Sequence, residues 1–307
     1  MKRHKLDLPV ELEREIFELA ASTDVGTALR LAVVAHRVQS WVEPIIYSKV
    51  VVVKAPEVDR QMQYSRSILR GRASKNQSAR KTVNEPQIHR FIRTIPLRPA
   101  SFFARYVKSL QVGNLTEPEL VTVLSTCTGI SELGWWSSKI TPSVEEVLHT
   151  LKLCRLSVDD TFAFEQIHTT SMFATITHLD LSFRNTFYRP DPPPLKHFTA
   201  LTHLSVVHGS LLPPTTWCDD ILKLCPRLKI LLRVSDTLFF EEVSGYYRRH
   251  SDLRVVVMQP PIGAWTAPWV HDAWPLAEKI VRERKELAAG ASLNFLSTHC
   301  LTLICSS

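Results

Sequence analysis

The chain has 307 residues, 45% of them hydrophobic, and 37 Lys and Arg against 30 Asp and Glu give a net charge of +7. That length fits one elongated domain with a small appendage, or two compact ones, with an ordinary core. No stretch approaches the roughly 18 apolar residues of a membrane helix, and nine glycines leave little material for cofactor loops.

The amino terminus, MKRHKLDLPVELE, has a basic start and no apolar run behind it, so a secretory signal is not expected. Residues 8–47 read as a compact helical unit. Pro9 suits a first helical turn, and Glu11, Glu13 and Glu15 suit the positive end of a helix dipole. At 3.6 residues per turn, Leu8, Leu12, Ile16, Leu19 and Ala20 make one apolar stripe, predicted as the core face. Val10 and Phe17 fall on another side, a surplus for a helix with one core face. A break at Ser22 to Gly26 precedes a predicted helix over Thr27 to Val38, then a short third piece from Trp41 to Tyr47 interrupted by Pro44. Val50 to Val53 is a β-branched run and a predicted strand.

The positive charge is concentrated next. Between Arg60 and Lys108 twelve basic residues face one acid, Glu85, which leaves the rest of the chain net acidic. Low apolar content from Arg66 to Glu85 points to a solvated excursion. A nucleic-acid contact is the alternative, disfavoured because Tyr64 is the single aromatic between Lys54 and Phe91.

From Tyr106 to Met258 one phrase recurs seven times: apolar, two free, apolar, one free, final position. It starts at Val107, Ile130, Leu153, Ile176, Leu201, Leu228 and Leu253, and neighbouring starts differ by 23, 23, 23, 25, 27 and 25 residues. Positions one, four and six suit a strand turning alternate side chains to a core. Helices are predicted between phrases at Glu117 to Cys127, Pro142 to Lys152, Phe164 to Phe173, Thr216 to Cys225 and Phe239 to His250. The step lies inside the roughly 20 to 29 residues of leucine-rich repeats, and the array resembles a degenerate member of that class. Ser138, Thr161, Arg184 and Gly209 stand where the family has Asn or Cys, and Arg233 breaks the sixth phrase.

Positions three, five and seven then line the open face, with Glu132, Trp136, Arg155, Asp159, His178, Asp180 and His203 as the candidate surface for a target protein. Plain solvated strand surface is the alternative. His178 and His203 fall on neighbouring strands as a conceivable metal pair, but no third ligand is in place and no metal or cofactor is expected. Later phrases put Val207, Ile230, Leu232, Val234, Val255 and Val257 on this side, which calls for a cover. GAWTAPWVHDAWPLAEKIVRERKELAAG supplies one, with Trp265, Trp269, Trp274 and a helix from Pro275 to Leu287 carrying Leu276, Ile280 and Leu287 on one side. It is expected to close the core at the last repeat. Six cysteines without a C-x-x-C pair fit reduced core thiols and a cytoplasmic or nuclear address.

LPVELEREIFELA followed by ALRLAVVAHRVQSWVEPIIY resembles an F-box of the divergent kind that precedes leucine-rich repeats in many fungal proteins. The resemblance covers residues 8–47 and the repeat architecture. It implies that Leu8, Pro9, Leu12, Ile16 and Phe17 contact the Skp-type linker of a cullin-RING ubiquitin ligase. Val38 stands where an aromatic often follows the second helix's basic residue, with Trp41 three positions on. The alternative for this helix is a cap on the first coil.

The expected fold class is therefore α/β, a leucine-rich-repeat-like solenoid with a curved parallel sheet behind a small helical F-box-like module. Its divisions are 1–49 (module), 50–105 (first strand and basic linker), 106–262 (repeats) and 263–307 (cap helix and tail). No G-x-S-x-G, H-E-x-x-H, phosphate loop or kinase set occurs, so a binding protein is expected rather than an enzyme. The expected partners are the Skp-type linker and a target protein, with neither nucleic acid nor membrane. A repeat scaffold outside the ubiquitin system is the competing expectation.

Overall fold

The computed structural model describes residues 8–54, 87–99, 101–136, 139–159, 171–183, 195–208, 215–235, 252–258 and 273–289. Among these the chain is α/β, with nine α-helices and eight strands in one sheet whose order follows the chain. Two compact units are present: residues 1–111 with 118–131, and residues 112–117 with 132–307.

In the first unit, α1 (Val10–Thr23), α2 (Val25–Leu31) and α3 (His36–Ser48) form a helical module. Asp24 stops α1 with extended backbone and caps α2, its carboxylate accepting from Thr27 N at 3.1 Å and from the Thr27 hydroxyl. Those bonds hold the Asp24 carboxyl below its ordinary range. The core is Ala21, Ala28, Val38 and Val42, with Phe17, Leu31, Trp41, Ile45 and Ile46 packed against it.

The core face of α1 is not the expected one. Leu8, Leu12, Ile16 and Leu19 are 55%, 48%, 54% and 70% exposed, while Phe17 and Ala21 turn inward. Both stripes satisfy helical periodicity, so packing decides. Ala28 on α2 and Ala32 just after it admit a close approach, which suits small Ala21, and Phe17 fills the remaining gap 6.3 Å from the Trp41 ring. The break between the later helices also moves, to residues 32–35, and α3 continues through Pro44. Burial of Val38 and Val42 and packing of Ile45 and Ile46 outweigh the missing N–H.

The same unit contains β1 (Lys49–Val53), α4 (Gln87–Thr94), a 3-10 turn at Ile95–Leu97, α5 (Ser101–Tyr106) and most of α6 (Glu117–Thr126). The edge-to-face rings of Tyr47, Phe91, Phe102 and Phe103 lie 5.2 to 5.6 Å apart. Of the basic segment, Lys54 pairs with Glu119 at 2.7 Å and Arg98 with Glu43; Arg66 to Glu85 lies outside the described residues. The first of the boundaries between the units, after Gln111, falls within β2 (Ser109–Gly113).

The second unit holds β3 (Glu132–Trp136), α7 (Pro142–Thr150), β4 (Arg155–Asp159), β5 (His178–Phe183), β6 (His203–His208), α8 (Thr215–Leu224), β7 (Ile230–Ser235), β8 (Val255–Met258) and α9 (Ala273–Ala288). Strands β3 to β8 pair parallel, each with the next. Leu133, Leu156, Leu179, Leu204 and Leu231 fall in register, all buried. One hydrogen-bond pattern repeats where strands begin: Thr177 N and His178 N share Cys154 O, and Thr202 N and His203 N share Thr177 O. Lys229 N and Ile230 N likewise share Thr202 O. The phrase thus fixes both the buried row and the strand entry.

The connections vary more than expected. Helices α7 and α8 occupy two gaps, whereas 3-10 turns at Ser171–Thr175 and Leu195–His197 sit in two others. Apart from residues 171–173, the expected helix from Phe164 lies outside the described residues, as does that over Phe239 to His250. Arg233 occupies a core position, fully buried, its guanidinium 5.4 Å from the Trp217 ring and Nη1 donating to Cys218 Sγ at 3.6 Å.

The last strand is displaced by one residue. Leu231 pairs with Val255 and Leu232 with Val256, instead of Leu231 with Val256. A one-residue slip exchanges the two faces of a strand. Val256 and Met258, not Val255 and Val257, therefore join Ile230, Leu232 and Val234, and Leu253 is left partly exposed.

Candidate recognition surfaces

In the helical module, Leu8, Val10, Leu12, Ile16 and Leu19 are exposed along α1 and Pro9 precedes it in the open. Phe17, half-buried, belongs to the module core instead. Further apolar side chains, Val25, Leu29, Val33 and Val34, are exposed on and after α2. Sequence analysis did not single these out: Val25 lies ahead of the helix predicted from Thr27, and α2 ends at Leu31, before Val33 and Val34. Arg37 Nη2 reaches Glu13 Oε1 at 2.6 Å, tying the start of α3 to α1.

On the sheet of the second unit the face opposite the leucine row changes character from strand to strand. One register row runs Glu132, Arg155, His178, His203, Ile230, and the next Gly134, Ser157, Asp180, Ser205, Leu232. The face is polar on β3 to β5 and apolar on β7 and β8. Helix α9 covers the apolar end through Trp274, Ala277 and Val281, packed with Ile230, Leu232, Val234, Val256 and Met258. Arg284 Nη1 donates to Val255 O at 2.6 Å.

The cover therefore lies across this face rather than over the end of the leucine core, and it uses a different stripe from the one expected. Leu276 and Leu287 are exposed, and Ile280 packs only in part. A surface of branched residues favours close approach through Ala277, with Trp274 extending beyond it. Trp265 and Trp269 lie outside the described residues.

Trp274 ends on the histidines. The His178 and His203 rings stack with centroids 4.2 Å apart and planes within 5°, and Trp274 meets both edge to face at 5.5 and 5.3 Å. Each Nδ1 lies beside the hydroxyl of the preceding threonine, 2.9 Å for Thr177 and 2.8 Å for Thr202. His203 Nε2 is 3.2 Å from Glu278 Oε1. Both nitrogens of His203 thus have hydrogen-bond partners. Among the described residues no group of three His, Cys, Asp or Glu is placed to hold a metal ion. Burial holds His203 below its ordinary range, against the Glu278 carboxylate, which favours the charged ring.

Glu132 Oε1 and Arg155 Nη1 are 3.5 Å apart, and these two, Trp136 and His178 are half-buried. Asp180 is 6% exposed and its Oδ1 has no hydrogen-bond partner. Burial pushes its carboxyl up to about 7, although Ser205 and Arg155 favour the anion; Ser205 lies close without reaching hydrogen-bond geometry to it. Asp159 ends β4, with its side chain outside the described residues. The sequence placed Trp274 in the cover but not on the histidines, and it did not single out Glu278.

Cys127, Cys154, Cys218 and Cys225 are free thiols, and burial pushes Cys127 up to about 12. No described helix is long and apolar enough to cross a membrane.

No family model matches the chain and no curated protein matches it. Among solved structures, the apo-structure of D-lactate dehydrogenase from Escherichia coli is similar at 11% identity and a TM-score of 0.22. The alignment covers 67% of this chain and spans 62% of that one. At that score the similarity carries no argument about fold or activity.

Proposed function

We propose that the chain is a substrate-recognition adaptor of a cullin-RING, SCF-type, ubiquitin ligase. In this reading α1 to α3 are an F-box-like module for the Skp-type linker, and the strands with their connections are leucine-rich-repeat-like coils of a solenoid that holds a target protein. Leu8, Pro9, Leu12 and Ile16 meet the linker, with Phe17 supporting them from the module core. The target meets Glu132, Trp136, Arg155, Asp159 and His178, whereas Asp180 and His203, counted with them from the sequence, are buried and lie beneath that surface. The adaptor carries no chemistry; it raises the effective concentration of the target beside a catalytic partner. A cytoplasmic or nuclear address goes with this role.

The observation that carries the reading is the exposure of Leu8, Leu12, Ile16 and Leu19 on a helix whose core demand is already met by Phe17 and Ala21. Co-purification tests it. The wild-type chain is expected to bring down the Skp-type linker, and a Leu12→Asp, Ile16→Asp double variant to lose it while the fold persists. Absence of the linker from the wild-type complex ends this reading. Another protein retained by both forms would favour a repeat scaffold outside the ubiquitin system.

A further inference from the structure

The recurring tripeptides ITH and LTH, ending at His178 and His203, place a Thr-His pair at the same register position of neighbouring strands. Their imidazoles meet face to face, and the same two rings form the seat for Trp274 at the start of α9. We infer that this stack is a proton-operated latch on α9: with both rings charged the stack parts, and the Trp274 end of the helix lifts from β5 and β6.

Proton uptake at either Nδ1 leaves the neighbouring threonine hydroxyl with a hydrogen-bond partner. Each threonine hydroxyl has a single proton and two acceptors within reach: His178 Nδ1 or Cys154 O for Thr177, and His203 Nδ1 or Thr177 O for Thr202, the carbonyls at 3.1 and 3.2 Å. A neutral Nδ1 accepts that proton. A charged ring donates to the hydroxyl oxygen, and the hydroxyl proton turns to the carbonyl.

Charge around the pair decides how many protons it holds. Arg155 faces it from β4, Asp180 from β5, Lys229 from just ahead of β7 and Glu278 from α9, while Glu132 of β3 is engaged with Arg155. Glu278 stabilises one positive charge, on His203. The second sets two cations face to face at stacking distance with Arg155 and Lys229 nearby, an arrangement whose repulsion the half-buried site screens poorly. Among the described residues, the remaining grip of α9 runs through Ala277, Val281 and the Arg284 bond to Val255 O, none of which titrates near neutrality. Release is therefore confined to the amino-terminal turns of α9.

Amide hydrogen exchange of the full chain between pH 7.5 and 5.0, corrected for the intrinsic rate, tests the latch. Relative to α7, protection of the first turns of α9 should fall about tenfold on acidification. In His178→Gln, which leaves one titrating ring, it should stay constant. Glu278→Gln, altered at a largely exposed carboxylate, should shift release to higher pH. A constant ratio in the parent, an equal fall in His178→Gln, or an unmoved midpoint in Glu278→Gln would each overturn the inference. None of these outcomes depends on what the helical module binds.

Discussion

Asp180 sits where a carboxylate is costly, and its titration makes that cost measurable. Its folded pKa, about 7, stands above the ordinary value near 3.9. Between those limits the folded chain keeps a proton that the unfolded chain has released. Stability therefore falls as pH rises from about 4 to 7, by up to ~1.4 kcal/mol per unit. His203 acts oppositely: its lowered pKa makes the unfolded chain take up protons first, so stability falls as pH drops below the ordinary histidine range. Asp180→Asn removes the first effect and keeps the second. Urea midpoints for this variant should exceed the parent's at pH 8 and lose the decline between pH 5 and 7; an unchanged slope would refute the assignment. Gly129 is a second residue with a sharp requirement. A Cβ there would lie 1.7 Å from Ala104 O, a backbone atom that cannot rotate away. Gly129→Ala should cost about 3 kcal/mol in denaturant unfolding.

Among elements, α1 separates two kinds of apolar residue that the sequence presents alike. Leu12→Asp with Ile16→Asp should leave thermal stability within about 0.5 kcal/mol per site, because both side chains already meet solvent. Phe17→Ala should lose about 3 kcal/mol, since that ring packs against Trp41 and the small core. Equal losses would mean the two stripes are not distinct. Strands were easier to read than helices. A period of two recurring at a near-constant step admits one register from β3 to β7, and Leu133, Leu156, Leu179, Leu204 and Leu231 obey it. Helical periodicity admits two stripes in α1 and two in α9, and the choice between them is made by neighbours distant in sequence. Of the candidate face, the positions of Glu132, Arg155, His178, Asp180 and His203 were legible from the phrase. The seating of Trp274 and Glu278 on His178 and His203 was not, because no local pattern links residue 203 to residue 278.

At the scale of the whole molecule, two compact units carry two different surfaces. One presents large apolar side chains on a helix with its own core; the other presents a sheet face whose polar strands remain after α9 has taken the apolar ones. Two cations of the first unit, Lys54 and Arg98, are matched to Glu119 and Glu43 within it.

The displaced pairing of β8 bears on how such an array could grow. Duplicating a coil between β3 and β7 would preserve the parity of every strand that follows, so insertions there are compatible with the same core. Copying the phrase beyond Met258 at the original step would instead start from inverted parity and turn its leucines toward the side occupied by α9. The offset thus acts as a terminator, and lengthened relatives of this chain should carry their additional coils upstream of Leu253.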